Sequence, residues 1–552
     1  MREGVGLRTL LEHLAEVPPG AESVCVSGLT QDSRAVRPGD LFLALPGTRS
    51  HGLAHAAEAA ARGARAVLWD PAGAAAGPGL GAGPAAGPGP ALPAGVFAAP
   101  VPGLARLVGA IADRFFGAPS ARLKVVGITG TNGKTTCAWL LAQCLERLGR
   151  KAGYIGTLGW GRPAGGSGAE GAAGAGGAGG AAGAGAAGAG GAVHPALAEP
   201  THTTPDTVEV HRLLEQLSQA GVEAVAMEVS SHALEQGRID GVRVTLAAFT
   251  NLTRDHLDYH GSMDAYGAAK ARLFKQVGLQ AAVINVGDAF GRELAQRVSV
   301  PLIAVAVDAT VFEAAGELAA ADELRGAVIL VARRVELDLR GIALEVEGTA
   351  GQVRLATRLL GRFNAENALV VLGCLVGLGV PLAEAARVLA QCQPAPGRME
   401  LVESRRPGRP LAVVDYAHTP DALEKALGAL REHCRGALWC VFGCGGDRDR
   451  GKRAQMGAIA DALADQLIVT DDNPRSEAPE AIVREILAGF RVHRPRVIHD
   501  RAQAIATALT EARANDMVLI AGKGHEPYQI YGGTRRPFSD RREAQKCLEV
   551  AA

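Results

Sequence analysis

The run Leu123-Lys124-Val125-Val126-Gly127-Ile128 passes directly into Thr129-Gly130-Thr131-Asn132-Gly133-Lys134-Thr135-Thr136, and a helical stretch follows from Thr135 to Leu148. A β-rich segment, a glycine-rich turn and a helix in that order leave few folds open. Glycines let backbone amides face an anion at close range, and the helix N-terminus adds partial positive charge. Lys134 can reach the outer phosphates of a nucleotide and Thr135 can hold magnesium, so the loop predicts ATP binding. The strict phosphate-loop spacing would need glycine where Ile128 stands; Gly127 and Gly130 bracket that position instead.

Further along, short β-rich runs alternate with helical ones: Ala224 to Met227, Ala281 to Asn285, Leu411 to Val414, Ala437 to Phe442, Gln466 to Val469 and Met517 to Ala521. Such alternation implies parallel sheets whose ligands sit at the carboxyl ends of the strands. The runs fall into two blocks that part near Pro394 to Arg398. The fold class is therefore α/β, and a chain of 552 residues is too long for one core. Glu228 closes one of the apolar runs and precedes Val229-Ser230-Ser231-His232. A carboxylate at a strand end beside a phosphate loop is where a magnesium ligand is expected.

Charge excludes several function classes. With 57 basic and 57 acidic side chains, no global field draws the chain to nucleic acid or an anionic membrane. Phosphate binding must come from local sites. The apolar stretch Leu369 to Val380 is short and runs into Pro381, which suits a buried helix and not a membrane span. At the start, Leu7, Leu10, Leu11 and Leu14 with charges between them predict an amphipathic helix and no secretory signal. Nine scattered cysteines without a CxxC pair read as reduced core thiols. The expectation is a soluble, cytoplasmic monomer. Pro71 to Pro93 and Pro163 to Ala192 are nearly pure Gly, Ala and Pro, and predict flexible surface loops.

Several segments together resemble the Mur ligases of peptidoglycan synthesis. Gly130 to Thr136 looks like that family's variant phosphate loop, and Asn251-Leu252-Thr253-Arg254-Asp255-His256-Leu257-Asp258-Tyr259-His260-Gly261 resembles its second signature. Tyr266-Gly267-Ala268-Ala269-Lys270 is similar to the segment bearing its carbamylated lysine; from the residues alone, Lys270 reads as part of a solvated helix face. Gly361 to Asn367 and Pro396-Gly397-Arg398-Met399-Glu400 resemble later signatures. Asp472-Asn473-Pro474-Arg475 is similar to the amino-acid-selecting motif of the members that add the third peptide residue, and its arginine is the form found where that residue is meso-diaminopimelate.

The resemblance implies three domains: a small N-terminal α/β domain for a uridine nucleotide over 1–102, a central ATP-binding parallel-sheet domain over 103–395 carrying the loop 163–192, and a Rossmann-like amino-acid domain over 396–552. It implies ATP contacts from Gly130, Thr131, Asn132, Gly133, Lys134, Thr135, Thr136 and Asn364. Magnesium would be held by Thr135, Glu228, His256 and Lys270 as its carbamate, with Lys134, Lys270, His256 and Glu228 as the catalytic set. Gln31, Ser33, Thr48, Arg49, Ser50, His202, Thr203, Thr204, Ser230, Gln236 and Arg238 would meet UDP-MurNAc-L-Ala-D-Glu, with His202 standing where asparagine is expected. Arg448, Asp472, Asn473, Pro474, Arg475, Gly522 and Glu526 would bind meso-diaminopimelate. A guanidinium can grip that amino acid's extra carboxylate with two parallel hydrogen bonds, and Glu526 could hold the accompanying ammonium. The activity implied is ATP-dependent joining of an amine to the D-Glu γ-carboxylate through an acyl phosphate. A lysine-adding relative and a folylpolyglutamate-synthase-like ligase stay open as alternatives.

Overall fold

The computed structural model describes residues 4–47, 50–72, 92–163, 203–308, 327–404 and 406–549. Thr48, Arg49, His202 and nearly all of the two Gly/Ala-rich stretches lie outside the described residues.

Three sheets organise the chain into the expected three-domain α/β architecture. The central one has ten strands. Seven run parallel, in the spatial order 328–338, 302–306, 281–285, 246–249, 124–129, 224–228 and 152–156. Antiparallel strands close both edges: Gly341–Gly348 and Gly351–Thr357 on one side, Gly159–Gly161 on the other. Along Lys124–Thr129 the side chains alternate, with Val126 and Ile128 entering one apolar layer and Val125 the other. Both faces are covered, as parallel sheets require. The helices Lys134–Arg147, Phe363–Gly377 and Leu382–Leu389 pack on the first face, and Thr207–Gln219 on the second. The apolar stretch after Phe363 is indeed a buried helix. No helix among the described residues is long and apolar enough to cross a membrane.

Strand order reverses at Lys124–Thr129, whose neighbours are Ala224–Glu228 on one side and Leu246–Phe249 on the other. A crevice opens at the carboxyl ends of strands wherever order reverses in this way. Register sets Glu228 opposite Ile128 and Phe249 opposite Thr129, so the glycine-rich turn, Glu228 and the Thr250-Asn251 turn leave the sheet at one level.

The C-terminal sheet orders its strands 400–402, 411–415, 517–521, 438–442, 466–469 and 496–497, all parallel except the first. A short hairpin, Tyr528–Tyr531 with Thr534–Pro537, stands beside it. The N-terminal unit has a four-stranded parallel sheet, 28–30, 40–44, 66–69 and 97–100. His433 ties the second unit to the third: its Nε2 accepts the Gly361 amide at 2.8 Å while Nδ1 meets the Asp338 carbonyl.

Two sequence expectations are corrected. The first helix spans only Leu7–Leu11, because His13 takes φ +61° and turns the chain before Leu14. The cysteines are free, but only six of nine are buried; Cys25 is exposed and Cys434 and Cys547 are half-buried.

Candidate active site

Gly133 caps the helix Lys134–Arg147 with φ +86°, and a Cβ there would stand 2.2 Å from Oδ1 of Asn367. Any side chain would both strain the turn and collide, which is the physical reason for glycine. Asn367 is in turn fixed by donating to Oδ1 of Asn364 at 2.7 Å, so Asn364 acts on the loop through its neighbour. The second turn grips the first. Thr131 and Asn132 amides donate to Asn251 at 2.8 and 2.9 Å, and Thr250 Oγ1 donates to the Asn132 carbonyl at 2.6 Å. Lys134 folds over the loop, its Nζ donating to the carbonyls of Gly130 and Thr131 at 2.9 Å each. Thr136 is half-buried beside it.

Glu228 is fully buried. Its Oε2 accepts from Thr135 Oγ1 at 2.9 Å and Thr157 Oγ1 at 3.2 Å; Oε1 accepts the Thr157 amide at 2.9 Å and the Tyr154 hydroxyl. A buried carboxylate is tolerated only when its lone pairs are satisfied in this way. Thr135 and Glu228 form an all-oxygen donor pair at the mouth of the phosphate loop, with hard ligands in too small a number to enclose an ion. That fits magnesium, which keeps most positions for water and nucleotide phosphates. Among the described residues no three His, Cys, Asp or Glu side chains gather as a closed metal site.

Lys270 overturns its default reading as part of a solvated face. It is 1% exposed, on the helix Met263–Ala271, and its Nζ donates to the Gly130 carbonyl at 2.8 Å while lying 4.3 Å from the centre of the Tyr266 ring. The helix turns this face inward because Tyr266 and Ala269 anchor it to the body. Lys134 and Lys270 thus converge on one carbonyl oxygen. Burial, aided by the nearby Lys134 charge and opposed by Asp255, brings the Lys270 amine down to about 6. Burial also lowers Lys134. His256 sits at φ +53° beside this group, half-exposed, with Nδ1 3.6 Å from Asp255 and its ring edge toward Tyr266 at 6.1 Å.

Next to Glu228 the structure gathers five of the residues expected to meet the sugar-peptide. Thr204 Oγ1 donates to the Glu228 carbonyl at 2.9 Å and accepts the Ser230 amide at 3.1 Å. Thr203 Oγ1 accepts from Thr157 at 3.4 Å. Arg238 donates to the Thr204 carbonyl at 2.8 Å and to Gln236, which donates onward to Tyr259. The N-terminal residues form a separate group. Ser33 is buried and donates to Glu58 at 2.8 Å; Gln31 is half-buried and Ser50 exposed, and no described contact joins them to the phosphate loop.

A second cluster lies at the carboxyl ends of the C-terminal strands. Asp472 and Asn473 are buried, and Pro474 with them. Arg475 adopts φ +54°, its amide donating to Ile530 and its carbonyl accepting from Gly532, so the 528–537 hairpin holds it in that conformation. Its Nη1 donates to the Gly446 carbonyl at 2.8 Å. Arg475 and Arg448 flank Gly445, whose Cβ would stand 2.8 Å from one guanidinium and 3.7 Å from the other's stem. Gly522, at φ +117°, faces the Asp472 carboxylate. Glu526 accepts from Asn473 Nδ2 at 2.9 Å.

Sequence reasoning passed over several residues that build these clusters. Arg453 is buried and donates to Glu477, Glu485 and the Gly445 carbonyl, while Glu477 takes the Asp447 amide at 2.6 Å; together they clamp the 443–450 turn to the 472–477 turn. Arg398, quoted in the sequence only as part of the 396–400 segment and given no role there, stacks 5.0 Å from Tyr416 with a buried Nε that has no hydrogen-bond partner among the described residues, close enough to influence Lys134. Nothing local in the sequence marks these residues; the structure marks the clusters by backbone strain, since four of the six non-glycine residues with positive φ among the described residues (His256, Met399, Asp447 and Arg475) stand at them. Such conformations cost about 1–3 kcal/mol each and collect where function requires them.

Comparison with known proteins places these features in one family. Residues 26–115 match the model described as "Mur ligase family, catalytic domain", 128–375 the "Mur ligase middle domain", and 397–524 the "Mur ligase, glutamate ligase domain". The chain is 47% identical, over 97% of its length and 98% of the relative's, to UDP-N-acetylmuramoyl-L-alanyl-D-glutamate--2,6-diaminopimelate ligase of Ectopseudomonas mendocina. It is 48% identical over 99% of its length, and 98% of the relative's, to the ligase of the same name from Xanthomonas campestris pv. campestris. A solved structure of a protein with that name superposes with a TM-score of 0.64 at 31% identity, covering 99% of both chains. Sheet order, phosphate loop and relatives agree: the chain belongs to the Mur ligase family.

Proposed function

We propose that the protein joins meso-diaminopimelate to the D-Glu γ-carboxylate of UDP-MurNAc-L-Ala-D-Glu, using ATP, in peptidoglycan precursor synthesis. One observation carries the reading beyond its relatives' names. The phosphate loop with Glu228 and the cluster around Arg475 and Glu526 open from the carboxyl ends of two different sheets, and Arg398, over the Tyr416 ring on the C-terminal side, lies near enough to Lys134 of the loop to act on its charge.

Two anions must meet in this reaction, so the main demands are charge neutralisation and alignment. The γ-carboxylate takes the terminal phosphoryl group of ATP, giving an acyl phosphate and ADP. The diaminopimelate amine then attacks the acyl carbon, phosphate leaves, and the amine's proton passes to solvent. Lys134 screens the phosphates, the Gly130–Thr136 amides orient them, and Arg398 faces the same space from the C-terminal side. Thr135 and Glu228 would hold magnesium, which supplies charge neutralisation on the phosphates. We assign Thr203, Thr204, Ser230, Gln236 and Arg238 to the muramoyl-dipeptide, Gln31, Ser33, Thr48, Arg49 and Ser50 to the uridine nucleotide, and 1–102, 103–395 and 396–552 to the three domains. Incubation with ATP, magnesium and the UDP-muramoyl-dipeptide, offering diaminopimelate or lysine separately, tests the reading through product mass; a product formed equally well with lysine would overturn the amino-acid assignment.

Lys270 extends the reading. A second ammonium beside Lys134 at the Gly130 carbonyl would be repelled, and burial together with the Lys134 charge leaves Lys270 neutral above about pH 6. A neutral amine in a cationic site takes up CO2, and the carbamate anion would relieve the repulsion and offer His256 a partner ligand for a second magnesium. The sign follows from the direction of the shift: ligation should fall as pH drops through about 6, when the amine protonates and releases CO2. Isotope-labelled bicarbonate should give a carbamate carbon signal at pH 8 that Lys270→Ala lacks. Activity indifferent to Lys270→Ala would remove the lysine from the catalytic set.

A further inference from the structure

Lys523 has no part in the steps above, yet its side chain is fully buried. Its Nζ donates to Oδ1 of Asn473 and to Oε2 of Glu526, each at 3.1 Å, and lies 5.5 Å from the centre of the Tyr528 ring. Asn473 closes the cycle, because its Nδ2 donates to the same Glu526 Oε2 at 2.9 Å. Its Oδ1 also accepts the Ile530 amide at 3.0 Å, and the Ile530 carbonyl accepts the Arg475 amide. A desolvated ammonium survives only where acceptors compensate it, so this cation fixes the residues around it. One chain of hydrogen bonds therefore runs from Lys523 through Asn473 and Ile530 to the backbone of Arg475.

The arrangement treats the two oxygens of Glu526 differently. Oε2 is engaged twice, whereas no described residue donates to Oε1, and the side chain keeps 20% of its exposure. Half of the carboxylate's charge is thus already answered from within the protein. What faces the cleft is one acceptor oxygen with its negative charge offset by an ammonium a few ångströms behind it. A lone ammonium gains little from such an acceptor once its own desolvation is counted. An ammonium that arrives beside its own carboxylate, with Arg475 to take the carboxylate, needs only the one oxygen.

We propose that Lys523 is a specificity-determining positioning residue: by holding Asn473 and one oxygen of Glu526 it shapes the cleft for a zwitterionic side-chain terminus and against a bare ammonium. The inference rests on the proposed function and adds to it a residue that never touches the substrate.

The test uses the full-length enzyme with ATP, magnesium and the UDP-muramoyl-dipeptide, and measures kcat/KM for diaminopimelate and for lysine in wild type, Lys523→Met and Lys523→Gln. Methionine removes charge and donors; glutamine keeps a donor without the charge. Both variants should lower the diaminopimelate-to-lysine ratio at least about tenfold, a change worth about 1.4 kcal/mol. The fall should come through KM for the amine, with lysine use rising and KM for ATP and the dipeptide unchanged. If the methionine variant does not fold, the glutamine variant carries the test. An unchanged ratio in either folded variant, or a fall in kcat alone for both amines, overturns the proposal. A wild type that joins neither amine overturns the proposed function and this inference with it; an active, selective wild type with unaltered variants overturns this inference alone.

Discussion

Glu228→Gln should lower the rate of ligation about 10²–10³-fold, the scale seen when one preorganised electrostatic group is removed from an active site, while leaving the fold nearly intact. The substitution is chosen for its hydrogen bonds. Oε1 must stay an oxygen, since the Thr157 amide can only donate to it. The new amide nitrogen then falls at the Oε2 position, facing the hydroxyls of Thr135 and Thr157. Hydroxyls both donate and accept, so they can rotate to meet it. The buried network stays satisfied, and the melting temperature should move by only a few degrees, as expected for about 1 kcal/mol in a chain of this size. What disappears is the negative charge beside Thr135, and with it the reason for a divalent cation to sit at the loop. Product formation and a melting curve on the same preparation separate the two effects. Full-speed ligation by the glutamine variant would show that Glu228 holds structure and no metal.

How much of this was legible in the chain depends on the distance over which each feature is built. The phosphate loop and its strand and helix are local, so the expected strand ending at Ile128 and helix from Thr135 differ from Lys124–Thr129 and Lys134–Arg147 by a residue. Ala281–Asn285, Gln466–Val469 and Met517–Ala521 were legible to the residue, because each is a short apolar run bounded by turn-forming or charged residues. The strand Leu246–Phe249 and the antiparallel edge 341–357 were not singled out. The former is only four residues long, and the latter alternates charge with apolar side chains at an exposed edge, where the pattern of a buried parallel strand does not apply.

Site residues divide in the same way. Glu228 stood out by its place at a strand end, but its partners Tyr154 and Thr157 are more than seventy positions away and carry no local mark. Lys270 was the opposite case. Ala268 and Ala269 give its helix no apolar stripe, and nothing in the spacing says that Tyr266 turns the lysine under the Gly130 carbonyl. Neither Arg453 nor Lys523 carries a local mark of burial, since arginine and lysine are almost never fully buried without partners; the partners come from other turns of the same domain. Strain leaves no sequence signal at Arg475, where a left-handed conformation is held by a hairpin over fifty residues later.

That strained arginine carries the second large effect. Arg475→Ala should cost diaminopimelate about 2–4 kcal/mol of transition-state binding, roughly 30- to 700-fold in kcat/KM, while lysine use rises. The asymmetry follows from what each amine brings. Diaminopimelate places a second carboxylate in the cleft, and without the guanidinium that anion loses its bidentate partner and lies beside Asp472 and Glu526. Lysine has no such group, so the wild-type site rejects it chiefly because Arg475 and its hydrogen bonds would go unmatched. Removing the arginine removes the penalty. Alanine also tolerates φ +54° no better than arginine does, so the backbone strain is unchanged and the hairpin contacts at Ile530 and Gly532 should persist. The selectivity ratio, measured by product mass from an equimolar mixture of the two amines, is the sharp readout, because any general loosening of the turn would depress both rates together. A ratio that survives Arg475→Ala would move the choice of amino acid away from the 472–475 turn altogether.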